Sequence, residues 1–231
     1  MARTVADVAL FLDTMAGLCP RDPLTFEAPR RSFAAAVASP MVPKRVAYTA
    51  DFGGKVPVDR ETREICAKVV RRFEELGSDV EEAAPDLGNI AEAFLALRSQ
   101  HFVVERELML ATHRDQIKPD IIWNTELGLR QSPSELAAAE RERAALFRRT
   151  SEFFDTYDLL VSPGASTPAF DVELRMPATI DGKKLENYLG SSLITAATTI
   201  MNSRPTAPVT PAMATTGSSL TSVSFGCCFR Q

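Results

Sequence analysis

Serine is the residue type in this chain whose neighbours most suggest chemistry. Gly-Ser-Ser occurs twice, in LGSSLIT (189–195) and in TTGSSLTS (215–222). PGASTP (163–168) carries one glycine of a nucleophile elbow and lacks the closing one. A serine nucleophile needs a base within hydrogen-bond reach and N–H donors to hold an oxyanion. No S-x-x-K pattern occurs, and His101 and His113 are the only imidazoles. His101 falls on an apolar helical stripe, which predicts a core histidine. His113 falls at a helix end, where a cation complements the dipole. Neither spacing composes a Ser-His-Asp triad. A serine-dependent enzyme would have to use Ser166 or Ser192, with no base visible for either. Turn and capping serines are the commoner use of such pieces.

Other chemistries fare no better. Cys19, Cys66, Cys227 and Cys228 lack zinc-ligand spacing, so no metal site is expected. DFGG (51–54) follows a strand and precedes a helix, but it matches neither dinucleotide nor Walker A patterns and predicts a plain loop. Trp123, the single tryptophan, falls in an irregular stretch and predicts a packing anchor. The net charge of −4 argues against nucleic-acid and anionic-membrane partners. No apolar run reaches membrane-spanning length and no signal peptide is visible. Together with sparse cysteine, that predicts a cytoplasmic location.

The elements that must position any site can be placed by capping and periodicity. Thr4 and Asp7 form a capping box for a helix with Val5, Val8, Leu12 and Met15 on one face and Gly17 at its end. Residues 18–43 read as a connecting segment. KRVAYTA (44–50) predicts a buried strand. Asp59 caps a helix with Ile65, Val69, Phe73 and Leu76 inward, and SDVEEAA (78–84) is a second strand. Strand–helix–strand implies a parallel pair, hence an α/β fold. A long helix over 89–113 places Ile90, Phe94, Leu97, His101, Val104 and Leu108 on one stripe. IKPDIIWNTELGL (117–129) breaks that pattern. SPSE (132–135) opens another helix running to about 155, with Arg141, Glu142, Arg143, Arg148 and Arg149 on its solvated side. YDLLVSP (157–163) is a short strand, and 183–204 mixes helix and strand tendencies.

Six phrases occur in one order: MARTVADVALFLDTMAG, RVAYTADFGGKVPVDRETRE, RFEELGSDVEEAAPDL, HRDQIKPDIIWNTELGL, FFDTYDLLVSPGASTPAF and TIDGKKLENYLGSSLITAATTI. The ordered series resembles the downstream half of the amidase signature family over about residues 1–205. IKPDIIWN and DGKKLENY look more like stand-alone amidases than like the amidase component of the tRNA-dependent amidotransferase. The resemblance implies a mixed β-sheet flanked by helices, here incomplete. It implies hydrolysis of carbon–nitrogen amide bonds by a serine, a second serine in a cis peptide, and a lysine. It implies no cofactor and no metal. The glycine- and serine-rich signature of the form G-G-S-S-G-G-S is absent, and those three residues belong upstream of the segment matching Met1. No catalytic residue therefore carries over.

Residues 188–196 correspond by resemblance to a helix facing the substrate pocket, with Ser192 and Thr195 as substrate-binding candidates beside Gly190 and Ser191. After NSRPT (202–206) the resemblance fades, which predicts a Ser/Thr/Pro-rich divergent tail over 206–231, as a frame change would produce. Met1 then reads as an internal methionine. The expected function is that of an amidase portion, inactive alone, that meets a small-molecule amide once an N-terminal half completes it. The alternative is a non-catalytic binding or assembly module reusing half of the fold.

Overall fold

The computed structural model describes residues 2–22, 25, 27–202, 221–223 and 227–229. The chain divides into two compact units, Met1–Val42 and Pro43–Gln231.

In the first unit, α1 (Val5–Met15) starts at Thr4, whose side chain accepts from the Asp7 N–H while Asp7 answers the Thr4 N–H. That reciprocal box satisfies two donors that the helix cannot. The expected apolar face is not buried: Val5, Val8, Leu12 and Met15 are exposed, and the buried residue is Ala9. The segment read as a connector holds a second helix, α2 (Phe33–Ala38), capped by Ser32. Asp13 of α1 also reaches it, accepting from the N–H groups of Phe33 and Ala34 at 2.7 and 3.0 Å. A carboxylate there meets both the orphan donors and the positive end of the helix.

In the second unit, β1 (Arg45–Tyr48), α3 (Arg60–Glu75) and β2 (Asp79–Glu82) form the expected unit, with β1 and β2 parallel from Arg45↔Asp79 to Tyr48↔Glu82. On its other edge β1 pairs in parallel with β3 (Leu159–Val161). Two further strands, β6 (Thr221–Val223) and β7 (Cys227–Phe229), continue antiparallel, giving the order β2-β1-β3-β7-β6. The rest of the tail read over 206–231 lies outside the described residues. Val46 and Leu160 are completely buried, as expected of strands covered on both faces.

Helix α4 (Ile90–His113) packs against both α5 (Pro119–Arg130) and α6 (Pro133–Phe153), and Ile90 and Leu146 join the core with Ala47 and Leu160 of the sheet. Ser132 and Glu135 form the expected capping box of α6. The stretch read as irregular is helix α5. Pro119 stands in its first turn, where a missing N–H costs nothing. Trp123 is therefore helical. Gly128 lets α5 approach α4 closely, since a Cβ there would strike the Ser99 carbonyl oxygen and come within 2.6 Å of Val103 Cγ2.

Four burial readings are corrected. On α3 the buried residue is Val70, while Ile65, Val69 and Leu76 are exposed. On α4 the apolar stripe is covered only at its start: Ile90 is buried, and Val104 and Leu108 are 77% and 78% exposed. His101 is an exposed residue 3.1 Å from Glu105, and not a core histidine. On α6, Arg141 and Arg148 face water as expected, but Glu142, Arg143 and Arg149 are half-buried and paired. Arg149 also donates to the Asp86 carbonyl, tying α6 to the loop before α4.

The region of mixed tendency resolves into a hairpin and a helix. β4 (Thr179–Ile180) and β5 (Lys183–Lys184) flank Asp181 and Gly182, whose φ values of 50° and 75° make a two-residue turn suited to strand twist. A 3₁₀ segment (Tyr188–Ser192) leads into α7 (Leu193–Asn202). Ile194, Ala197 and Met201 of α7 join Ala47, Leu160 and Phe154 in the main core. Among the described residues, no helix is long and apolar enough to cross a membrane.

Candidate functional site

In open α/β sheets, ligands collect outside the carboxyl ends of parallel strands. Here those ends are the loops leaving β1 (49–59) and β3 (162–168). They are stitched together: the Thr49 N–H donates to the Val161 carbonyl at 3.0 Å, and the Asp59 N–H donates to the Ser166 carbonyl at 2.7 Å. Asp59 also caps α3. The loop after β1 turns through three left-handed residues, Phe52, Gly53 and Gly54. Phe52 can be held in that conformation because its ring is buried in the core and its N–H donates to Thr49 Oγ1 at 2.8 Å. The Gly54 N–H donates to Asp51 Oδ1, so loop donors serve the loop itself, as a plain turn requires.

The 3₁₀ segment and α7 lie against the second loop. Thr195 Oγ1 donates to the Gly164 carbonyl at 3.3 Å. Ser192, at the end of the 3₁₀ segment, and Thr195 and Thr199 of α7 are exposed, opposite the buried Ile194, Ala197 and Met201. Spacing of three and four residues makes this one polar stripe. Ser166 is nearly fully buried and its Oγ has no hydrogen-bond partner. Neither Ser166 nor Ser192 has a lysine or histidine partner among the described residues. His113 instead contacts Thr112 through Nδ1 at 2.7 Å.

A cleft of about 320 Å³ opens beside the 3₁₀ segment; Phe94, Leu95, Leu185, Leu189 and Leu193 line it, as do the charged Glu92, Lys184 and Glu186. Ser192 and Thr195 do not line it. A second cleft of about 500 Å³ lies between the start of α4 and α6. Among the described residues, no group of three His, Cys, Asp or Glu side chains could hold a metal ion.

Beside the smaller cleft stands a polar cluster that sequence reading missed. Tyr188 Oη accepts from Asn124 Nδ2 at 2.6 Å and from Arg98 Nη2 at 3.3 Å. Asn124 is completely buried and donates also to the Asp120 carbonyl. The ring of Trp123 meets Tyr188 edge-on at 6.3 Å. Asp120 pairs with Arg175, whose guanidinium lies 5.8 Å from the Tyr188 ring. These residues come from α4, α5, a loop and the 3₁₀ segment, so no local spacing announces them.

The Amidase family model matches residues 1–219, and the chain belongs to that family. It is 29% identical over 204 residues to an acylamidase of Rhodococcus erythropolis, covering 87% of this chain and 43% of that one. It is 26% identical over 176 residues to an amidase of Pseudomonas putida, covering 73% of this chain and 36% of that one. Among solved structures, a bacterial aryl acylamidase of the amidase signature enzymes superposes with a TM-score of 0.73 at 25% identity, covering 86% of this chain and 43% of that one. The chain thus spans less than half the length of these relatives.

Proposed function

We propose that this chain is the downstream portion of an amide hydrolase, supplying part of the sheet and one wall of a pocket for a small amide. Ser192 and Thr195 are the substrate-facing residues of that wall. The observation that carries this reading is the exposed hydroxyl stripe of α7 beside the loop leaving β3, within a chain of the Amidase family. A helix that buries one face in the core and presents hydroxyls on the other can offer hydrogen bonds to an amide without shifting. Catalysis falls to residues outside this chain, because among the described residues Ser166 and Ser192 have no base to activate them.

Two measurements test the reading. The purified chain is expected to show no turnover of benzamide or acetanilide; hydrolysis abolished by a fluorophosphonate would overturn its inactivity alone. Fused behind the upstream part of the Rhodococcus erythropolis acylamidase that the match leaves uncovered, the chain is expected to restore amide hydrolysis. Ser192→Leu and Thr195→Leu in that fusion should raise KM. A folded fusion without activity would sink the pocket-wall assignment.

A further inference from the structure

Among the described residues, five arginines are half-buried: Arg63, Arg98, Arg106, Arg143 and Arg149. Four of them have a carboxylate partner, namely Asp181, Glu105, Glu140 and Glu142. Arg98 has none. Its guanidinium is instead caged by the rings of Phe94, Phe102 and Tyr188, at 5.9, 4.8 and 6.0 Å. Ring faces attract a cation without accepting its N–H donors; Arg98 Nη2 donates to Tyr188 Oη, and Arg98 Nε is buried without an acceptor. A partly desolvated guanidinium without an anion is costly to keep, so its neighbourhood is suited to receive one.

Two further features define the ligand. Tyr188 Oη accepts from both Asn124 and Arg98, which leaves its own proton to donate. Phe94 both faces the Arg98 guanidinium and lines the 320 Å³ cleft, whose wall is mainly apolar through Leu95, Leu185, Leu189 and Leu193, with Lys184, Glu92 and Glu186 also lining it. Fixed donors beside a mainly apolar cleft match a ligand with a hydrocarbon body and a carboxylate.

We propose that Arg98 and Tyr188 form a subsite for the carboxylate of an aryl or alkyl acid whose apolar body occupies the Phe94–Leu189 cleft. Resting on the amide-hydrolase reading, the substrate class is an amide that carries a free carboxylate away from its scissile bond. The acid released by hydrolysis shares the same chemistry.

The test is binding to the full chain, which needs no turnover, so it can fail or succeed independently of catalysis. Trp123 is the single tryptophan and contacts Tyr188, so its emission reports on the cluster. Saturable changes are expected with benzoate and with N-benzoylglycine, and none at equal concentration with the uncharged benzamide. Binding of both acids supports a carboxylate-bearing amide as substrate; binding of benzoate alone supports capture of the released acid. Arg98→Gln is expected to weaken benzoate by roughly ten-fold or more, and Tyr188→Phe by a smaller factor, as losing charge-assisted and neutral hydrogen bonds predicts. Arg141→Gln, at an exposed position on α6, should change nothing. Equal response to benzamide and benzoate on the unaltered chain would overturn the proposal whether or not the variants fold. So would full affinity in a folded Arg98→Gln chain.

Discussion

Burial around Tyr48 pushes its phenol up to about 12 from an ordinary 10.0, with Cys66 and Glu82 adding to the shift. The folded chain therefore holds this proton more tightly than the unfolded chain does. The stability this confers is complete below the unfolded value of about 10 and is lost as pH rises towards 12. Ultraviolet titration should show a tyrosine phase near pH 12, and Tyr48→Phe should remove it. A titration without such a phase, or one that Tyr48→Phe leaves unchanged, would contradict it. At this scale sequence reading did least well. Ser192 and Thr195 could be singled out only through family likeness. Arg98 could not be singled out at all, since its cage is assembled from one face of α4 and a tyrosine 90 positions further on.

Elements were far more legible, where the signal was local. The Thr4–Asp7 and Ser132–Glu135 boxes and the Asp59 cap each act within one turn, and each stands where its residues imply. Pro119 misled, because a proline that breaks one helix can open the next. The Asp181–Gly182 turn carried a readable hairpin signal that the mixed flanking residues obscured. Burial faces failed for a different reason. Periodicity tells which side chains share a face, as Ile65, Val69 and Leu76 do on α3, but not whether anything covers it. Gly128 gives this scale its prediction. Within a helix, alanine in place of glycine normally stabilises by about 1 kcal/mol. Here the added Cβ would meet the Ser99 carbonyl and Val103, and overpacking costs about 1–3 kcal/mol. Gly128→Ala should lower the urea midpoint; a raised midpoint would show that α4 and α5 are not in close contact there.

Charge acts on the molecule as a whole. The Tyr157 hydroxyl and then Arg45 hold Glu81 below the usual carboxylate range; Lys55 and then the Gly88 N–H do so for Asp86; the Ser132 N–H and hydroxyl do so for Glu135. Each folded value is depressed, so each contribution is present above the unfolded value and lost as pH falls through the folded one. Resistance to urea should therefore decline as pH drops below about 4, and each step should be small because these groups are open to solvent. A midpoint unchanged through that range would refute the assignment. Salt should flatten the Lys55–Asp86 part most, since an exposed ion pair is screened.

The place of β1 between β2 and β3 has a consequence for how the chain is made. Its first neighbour, β2, is complete at residue 82, but its second, β3, is complete only at residue 161. On a ribosome adding about 5–20 residues per second, the intervening stretch takes roughly 4–16 s. For that interval the β1–α3–β2 unit can be folded while one row of β1 donors and acceptors faces solvent unpaired. Such an edge is a template for another strand. A chaperone shielding Val46 and Tyr48 would have its work set by translation speed along α4, α5 and α6, so slowing codons there should raise misfolding more than the same codons placed after residue 161.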